Sequence, residues 1–308
     1  MIELPRVTVP RADKSIDWAR EMSRYKSLKS EKQDFELWQK DLEVKVDTKG
    51  VGHFAVCFLT DIHLGAQGTD YDSLNKYRSA IIENPIYTVL LGDLADFFNP
   101  KILAHAMMGD VENPDEQMES VSAFLGGGFA EKTLGAVNGN HEQFATNSAG
   151  IDPMRWINKN FNIPLLQAGS VLTLKVDDEE YRIGMWHKLA RYNSSLNMTH
   201  AGKQAMRMST DNLDMVVSGD KHMGAMEEFV HKDRVGYVTQ LGTFKTSDPW
   251  GREMGMTPPP QVFFPVFFFD GSKHEITPVR DLDTGVGIFQ AFQEMSKKKG
   301  IAALGMAK

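Results

Sequence analysis

The sequence predicts an α/β fold in which helices cover a largely parallel sheet. Five short apolar runs, several of them rich in valine and other strand-forming residues, end in polar side chains: HFAVCFLTD, YTVLLGD, TLGAVNGN, YRIGMWH and DMVVSGD. Continuous apolar runs of this length are typical of strands buried on both faces of a sheet. Helical patterns such as SLNKYRSAIIEN and DEQMESVSAFL lie between some of the runs. This alternation predicts a layered architecture.

An amphipathic helix is expected before the first strand. Its signals are a capping box and apolar residues at helical spacing: Ser30 with Gln33, then Phe35, Trp38 and Leu42. We therefore predict an N-terminal helical extension, residues 1–50, before a main domain.

The main domain is predicted to span residues 51–284. Near its end, segment 247–265 is rich in proline and glycine and is expected to be loop. It precedes a further strand, VFFFDG. Residues 285–308 show little strand signal and are predicted to form a solvated C-terminal tail.

Composition and charge limit the classes of function that this chain is expected to have. The chain has 308 residues, a formal net charge of −7 and one cysteine, Cys57, so no disulfide can form within it. No apolar stretch is long enough for a membrane span, and the N-terminal residues lack the apolar region of a secretory signal. We therefore expect a cytoplasmic protein that does not enter membranes. The negative charge counts against a passive nucleic-acid-binding module, but less against a metalloenzyme, whose acidic ligands are offset by cations.

Metal-binding side chains follow the first two apolar runs. Asp61 and His63 are two residues apart, and in an extended strand end they would point the same way. Asp93 has two oxygens that could bridge two cations, and Asp96 follows three residues later. A single D-x-H tripeptide is weak evidence because most occur by chance, and Asp93 and Asp96 would also suit the positive end of a helix.

The other three runs add further ligands. Asn140 offers a neutral oxygen, and His141 beside it can exchange protons near neutral pH. His187 follows a strand, and the stretch SGDKH supplies Asp220 and His222. Viewed singly, SGDKH is an ordinary polar turn and His187 a satisfied histidine. Five strand ends with the same chemistry favour one shared site beyond the carboxyl ends of the strands.

Taken in order, TDIHLG, LLGDLAD, NGNHE, a later lone histidine and SGDKH resemble the motifs of the calcineurin-like metallophosphoesterases. Those motifs run D-x-H, G-D-x-x-D, G-N-H-[DE], H and G-H-x-H. The match covers residues 61–222, about half of the chain. The resemblance implies an αββα sandwich and metal-dependent hydrolysis of phosphoesters.

The resemblance also implies two divalent cations, bridged by Asp93, with two sets of ligands: Asp61, His63 and His222 for one, and Asn140, His187 and Asp220 for the other. His141 would donate a proton to the leaving oxygen, and Asp96 would orient it. Two cations a few ångström apart activate water and neutralise charge on phosphoryl oxygens.

Asp220 departs from the family pattern, because it stands where the first histidine of G-H-x-H is usual. A carboxylate is a harder ligand than imidazole, so Mn²⁺ or Mg²⁺ is favoured over metals that prefer nitrogen. We predict Mn²⁺, with Mg²⁺, Fe²⁺ and Zn²⁺ as alternatives. The substitution would equally fit a loosely held second metal.

Three functions compete. The first is a DNA nuclease, similar to the SbcD-type repair nucleases and to phage-encoded members of the family. The segment LGTFKTSDPWGREMG resembles the C-terminal part of those phage-encoded members. The second is a phosphatase or a phosphodiesterase of small molecules. Protein phosphatases of the family carry two arginines where this chain has Phe97 and Asn138, which counts against that branch. The third is a non-catalytic binding protein, which would have no use for an intact proton donor.

Nucleic acid is the expected partner, with DNA favoured. The loop after His187 carries candidate contacts to a phosphate backbone or a base: Lys188, Arg191, Tyr192 and His200. The alternative is a polar surface loop without such a role. Some relatives act as dimers with an ATPase, so a homodimer or an ATPase partner is also possible for this chain.

Overall fold

The computed structural model describes residues 18–33, 38–97, 112–189, 194, 196–231, 234–247 and 261–306. The chain divides into two compact units, Met1–Leu37 and Trp38–Lys308. The described part of the first unit is one helix, α1 (Trp18–Gln33). None of the helices in the described residues is long and apolar enough to cross a membrane.

Within its described residues, the second unit alternates strands and helices. The strands are β1 (Trp38–Val46), β2 (His53–Leu59), β3 (Ile86–Leu90), β4 (Thr133–Val137), β5 (Leu165–Val176), β6 (Glu179–Trp186), β7 (Met215–Ser218), β8 (Ala225–His231), β9 (Arg234–Gln240), β10 (Val266–Asp270) and β11 (Ile276–Val279). The helices are α2 (Tyr71–Glu83), α3 (Pro114–Leu125), α4 (Asn140–Ala149), α5 (Pro153–Phe161), α6 (His200–Met208) and α7 (Leu282–Met306). The predicted α/β fold is confirmed.

The strands form one sheet in the order β11-β10-β2-β3-β4-β5-β6-β7-β9-β8, and β1 pairs with β5. Parallel pairing joins β2, β3 and β4 on one side of β5, and β6, β7 and β9 on the other. Strand β5 joins these two halves: Leu165 and Leu166 pair with β4, whereas the residues from Ser170 onward pair with β6. Gly169, between them, has a φ of 81°, a conformation that favours glycine.

The two halves of the sheet share one core. Tyr181 on β6 and Phe269 on β10 are far apart in strand order, yet their ring centroids lie 5.1 Å apart. The Tyr181 hydroxyl also donates to the carbonyl of Asp270, at 2.6 Å. Cys57 on β2 is fully buried in this core, and burial raises the pKa of its thiol, as expected for an inert cysteine.

The prediction of an amphipathic helix around residues 30–42 is wrong. Trp38 and Leu42 lie on β1, which pairs with β5, while the helix α1 lies earlier in the chain and contains Ser30. Phe35 is outside the described residues. The alternation in LEVKV is a strand pattern, and its apolar side chains pack against the core. The spacing of Trp38 and Leu42 also fits a helix, so this strand was not predicted.

The segment predicted as a solvated tail, residues 285–308, falls largely within helix α7. Leu282 and Phe289 of this helix are buried in the core. Phe292 stacks on His53 of β2, with 3.9 Å between the ring centroids. The described ends of segment 247–265 contain neither helix nor strand, as predicted; residues 248–260 lie outside the described part. The predicted domain boundaries themselves remain predictions.

Candidate metal site

Backbone hydrogen bonds join the loop after β2 to the loop after β3, and the loop after β6 to the loop after β7. The amides of Asp61 and Ile62 donate to the carbonyls of Gly92 and Asp93, at 3.1 and 2.8 Å. The amide of Gly219 donates to the carbonyl of His187, at 2.9 Å. The Asp220 amide, which donates to Asp61 Oδ2 at 3.0 Å, joins the two pairs, so the predicted ligands of these loops meet.

Several predicted ligands have unusual backbone conformations. Asp61, His63, Asp93, Asp220 and His222 all have positive φ, between 51° and 71°. The expectation that the first two lie in an extended strand end was therefore wrong, although both still reach the site. A residue other than glycine in a sparsely populated region costs about 1–3 kcal/mol and persists only where its surroundings impose it. The loops hold these side chains in place at a cost in stability.

The loop after β4 approaches the Asp93 loop closely. A Cβ atom added to Gly139 would lie 2.2 Å from Asp93 Oδ1. The absence of a side chain lets the amide of His141, in the first turn of α4, donate to the same Oδ1 at 3.0 Å. Asp93 is thereby anchored by one oxygen, and its Oδ2 faces the histidines.

Asp61, His63 and His222 form the first ligand group. The Nε2 atoms of His63 and His222 are 3.1 Å apart, and Asp61 Oδ1 is 3.2 Å from Nε2 of His222 and 3.9 Å from Nε2 of His63. Ring nitrogens that share a cation at about 2.1 Å lie roughly 3–3.5 Å apart. Asp61 Oδ1 is buried and has no hydrogen-bond partner among the described residues. This orphaned oxygen between two imidazoles fits a bound divalent cation.

Asp93 belongs to two further groups of potential ligands, one with Asp61 and His187 and one with His63 and His141. Its Oδ2 lies 3.2 Å from His187 Nε2 and 3.8 Å from His141 Nε2. The Asn140 side-chain oxygen lies 2.9 Å from the same His187 nitrogen. Asp93 is therefore shared by two of the groups of potential ligands.

Three of the histidines are oriented by bonds at Nδ1. His63 Nδ1 lies 2.6 Å from Asp96 Oδ1, His187 Nδ1 lies 2.6 Å from the Leu91 carbonyl, and His141 Nδ1 lies 2.5 Å from the Asp96 carbonyl. Carboxylate and carbonyl oxygens only accept, so each Nδ1 carries the proton. Each ring therefore presents Nε2 to the centre of the site, as histidine ligands held by an outer partner do.

The charges of the site also favour a cation. Burial alone would raise the pKa of Asp93, but His187 and His141 hold it well below its usual range. Burial alone would lower the pKa of His187, but the Asp93 carboxylate raises it to about 10. Asp61 and Asp93 are both buried carboxylates that require nearby positive charge. In the chain alone imidazolium supplies this charge, and a divalent cation supplies it when bound.

His63 differs from His187, because burial lowers its pKa to about 4. The ring is therefore neutral near neutral pH, with its proton on Nδ1 and a lone pair on Nε2 facing Asp61 and His222. A neutral imidazole is the form that binds metals.

Asp96 contacts His141 differently from the prediction. Its main-chain carbonyl accepts from His141, whereas its nearer carboxylate oxygen is 3.6 Å away. The carboxylate instead holds His63 through Oδ1 and Lys245 through Oδ2, at 2.6 and 2.7 Å. Lys245, from the segment after β9, was not identified from the sequence. Its position five residues beyond the end of a strand was the available signal.

Glu142 was also missed, although it is the last letter of the NGNHE motif. It is fully buried, and its carboxylate accepts from the amides of Asp93, Leu94 and Gly139, at 2.9, 2.7 and 3.1 Å. Glu142 therefore connects the Asp93 loop to the first turn of α4.

Asp220 stands at the edge of the site. Its carboxylate pairs with Lys188 at 2.7 Å, and its amide donates to Asp61 Oδ2 at 3.0 Å. Among the described residues it belongs to none of the groups of three potential ligand atoms. Lys188 contacts one oxygen, Oδ1, so this pair by itself leaves the second carboxylate oxygen for a metal.

We expect Asp220→Asn to change Mn²⁺ affinity by less than about threefold, because Asp220 lies outside the groups of potential ligands among the described residues and its amide is retained. The matched change Asp61→Asn should weaken affinity more than tenfold, because it alters an oxygen between two imidazoles. Titration calorimetry with Mn²⁺ measures both. Comparable losses in the two variants would identify Asp220 as a ligand.

The predicted substrate-binding residues are only partly described. Lys188 is exposed and pairs with Asp220. Arg191 and Tyr192 lie outside the described residues. His200 is half-buried at the start of α6, and no hydrogen bond joins its side chain to the site within the part of the chain that is described.

No protein-family model matches the chain, and no curated protein matches it. It is similar in structure to a predicted phosphoesterase from Streptococcus pneumoniae, at 12% identity over 74% of this chain and 90% of that chain, with a TM-score of 0.36. It is also similar to a calcineurin-like phosphoesterase from Bacillus subtilis, at 12% identity over 80% and 97%, TM-score 0.36. A metallophosphoesterase from Sphaerobacter thermophilus matches at 11% over 74% and 88%, TM-score 0.38. Likeness at this level assigns no activity.

Proposed function

We propose that this chain hydrolyses phosphoesters with bound divalent cations, and that its substrates are phosphodiesters. The observation that carries the proposal is the convergence of Asp61, His63 and His222 in one group of potential ligands and of Asp61, Asp93 and His187 in another, with Asn140 beside His187. Asp61 Oδ1 lies unpartnered within this set. When bound, divalent cations polarise a phosphoryl oxygen and neutralise the charge that develops on it.

The chain's own residues divide the remaining work. Asp93, anchored by the His141 amide, is the shared ligand. His141 is the proton donor, because its Nδ1 is held by the Asp96 carbonyl and its Nε2 is turned toward the ligand cluster. A proton on that Nε2 passes to the leaving oxygen as its bond to phosphorus breaks and the oxygen of a water molecule bonds to phosphorus in its place.

Diesters are favoured over monoesters because neither of the two positions at which related phosphatases have arginine carries a cation in this chain. Phe97 occupies one of the positions at which related phosphatases have arginine, and its side chain is apolar and buried, so it contributes no charge. Its amide donates to Gln117 Oε1 at 2.8 Å. Asn138, the other position at which related phosphatases have arginine, has a buried side-chain oxygen without a partner among the described residues. Lys245 and Lys188 are each paired with an aspartate.

Nucleic acid, DNA in the first place, is the proposed substrate, with Mn²⁺ as the proposed metal. The support comes from the sequence: the resemblance to SbcD-type and phage-encoded nucleases, and the basic and aromatic residues after His187. A small-molecule phosphodiesterase is the second candidate, since the described cation of that loop, Lys188, is already paired with Asp220.

The test combines elemental analysis with substrate comparison. The protein is stripped with chelator, reloaded with Mn²⁺ and assayed on bis-p-nitrophenyl phosphate, p-nitrophenyl phosphate and labelled single- and double-stranded DNA. We expect two metals per chain, diester turnover well above monoester turnover, and cleavage of DNA. Turnover of the small diester alone would move the substrate to nucleotides or other small phosphodiesters. Absence of both metal and turnover would favour a binding protein.

A further inference from the structure

Lys245 lies on the segment 241–247, which follows β9 and runs beside the Asp61 loop. Two groups of this segment donate to the Asp61 carbonyl: the Thr243 hydroxyl at 2.8 Å and the Phe244 amide at 3.0 Å. The Lys245 amide donates to Thr243 Oγ1, at 2.9 Å. The main chain of Lys245 is thus fixed to the loop that carries two of the metal ligands. Its side chain is only 16% exposed.

The ammonium group of Lys245 ends at Asp96. Its Nζ lies 2.7 Å from Oδ2, while His63 uses Oδ1 and His141 uses the main-chain carbonyl of the same residue. The three bonds use three different atoms of Asp96, so the lysine displaces neither histidine. Because Lys245 holds Oδ2 and His63 donates to Oδ1, the Asp96 carboxylate is fixed against rotation about its Cβ–Cγ bond.

We propose that Lys245 is a positioning residue of the metal site, acting through Asp96 on His63. The bond to Oδ2 keeps Oδ1 where it accepts from His63 Nδ1, so His63 Nε2 stays directed at Asp61 and His222. The inference rests on the proposed function, because it assumes that Asp61, His63 and His222 bind a cation. The same bond holds the residue whose carbonyl orients His141.

The alternative is that the pair of Lys245 with Asp96 adds only stability. A matched control exists, because Lys203 pairs with Glu227 at 2.8 Å and its side chain is also 16% exposed. Lys203 lies on α6, and its side chain pairs with Glu227 rather than with a residue of the ligand groups. Glu227 is 49% exposed and Asp96 only 10%, so Lys203→Met controls for the loss of an equally exposed lysine rather than of an equally buried pair. Only the pair of Lys245 leads to a ligand.

The experiment compares Lys245→Met, Lys245→Arg and Lys203→Met with the wild type. Affinities for Mn²⁺ and Co²⁺ are measured by calorimetry, and the visible spectrum of the Co²⁺ form reports coordination geometry. Loss of a direct outer partner of a ligand costs about 10–100-fold. Lys245 acts one step further out, through Asp96, so we expect Lys245→Met to weaken binding by up to about tenfold and to alter the spectrum. Lys245→Arg should recover most of the affinity, and Lys203→Met should bind as the wild type does.

A second measurement does not require metal. In metal-free protein with ¹⁵N-labelled histidine, solvent exchange of the His63 Nδ1 proton reports how firmly the Asp96 carboxylate holds the ring. This proton should be protected in the wild type and exchange faster in Lys245→Met, because a carboxylate that can rotate holds the ring less firmly. Unchanged exchange together with wild-type Co²⁺ affinity and spectrum in Lys245→Met would overturn the inference while leaving the metal site standing. A wild type that binds neither cation would contradict the proposed function, and the exchange comparison would still decide the role of Lys245.

Discussion

The His141→Ala variant is expected to retain its divalent cations and to lose about 10²–10⁴-fold in kcat on phosphodiesters with poor leaving groups. The first metal group, Asp61, His63 and His222, does not include His141. Its Nε2 is 3.8 Å from Asp93 Oδ2, farther than the 3.2 Å of His187. A substrate with a p-nitrophenolate leaving group needs little protonation, so its turnover should fall much less.

Metal content and the ratio of rates on the two kinds of substrate check this prediction. His63→Ala is the contrasting variant, because it removes a nitrogen of the first group and should lose metal and activity together. Equal losses of metal and activity in His141→Ala would make His141 a ligand in the group that it forms with His63 and Asp93. Equal loss on good and poor leaving groups, with metal retained, would show that His141 does not protonate the leaving oxygen.

The Asp61 and Asp93 part of the site could be predicted because parallel strands end at the same edge of the sheet. These two residues follow the neighbouring parallel strands β2 and β3. His187 follows β6, which is antiparallel to β5, while β5 is parallel to β4, so parallel pairing alone does not bring its loop to the others. The contact of His187 Nδ1 with the Leu91 carbonyl, which joins the two halves of the sheet, could not be predicted from the motifs. The backbone conformation of the ligands was not predictable, because positive φ at Asp61 and His63 is imposed by contacts with loops distant in the chain.

The predicted helix around Trp38 failed for a related reason. The apolar spacing from Phe35 to Leu42 fits a helix, and the residues that decide otherwise lie on β5, more than a hundred positions away. Lys245 and Glu142 escaped notice because their roles consist of long-range hydrogen bonds. A local pattern identifies ligands by residue type, but the partners that hold those ligands depend on which loops pack together.

Glu142→Ala is expected to destabilise the folded protein by roughly 3 kcal/mol or more. Three amides donate to this fully buried carboxylate, and each buried donor left without a partner costs about 1–3 kcal/mol. Burial and the nearby Asp93 carboxylate both raise the pKa of Glu142. Keeping this carboxylate charged inside the protein therefore costs free energy, which the three hydrogen bonds from the amides offset. The free energy of unfolding in urea, measured in chelator, checks the stability effect.

Glu116→Ala is the matched control, because both glutamates close a capping box at the third residue of a helix. Glu116 begins α3, is exposed, and accepts from the Asn113 amide at 2.8 Å. Its removal should cost under about 1 kcal/mol, since water can replace it.

Glu142 also holds the amide of Asp93, so Glu142→Ala should weaken Mn²⁺ binding as well. Equal stability losses in the two variants would contradict the structural role assigned to Glu142. A destabilised Glu142→Ala protein that still bound Mn²⁺ normally would show that Asp93 is positioned without it, by the His141 amide and the histidine rings alone.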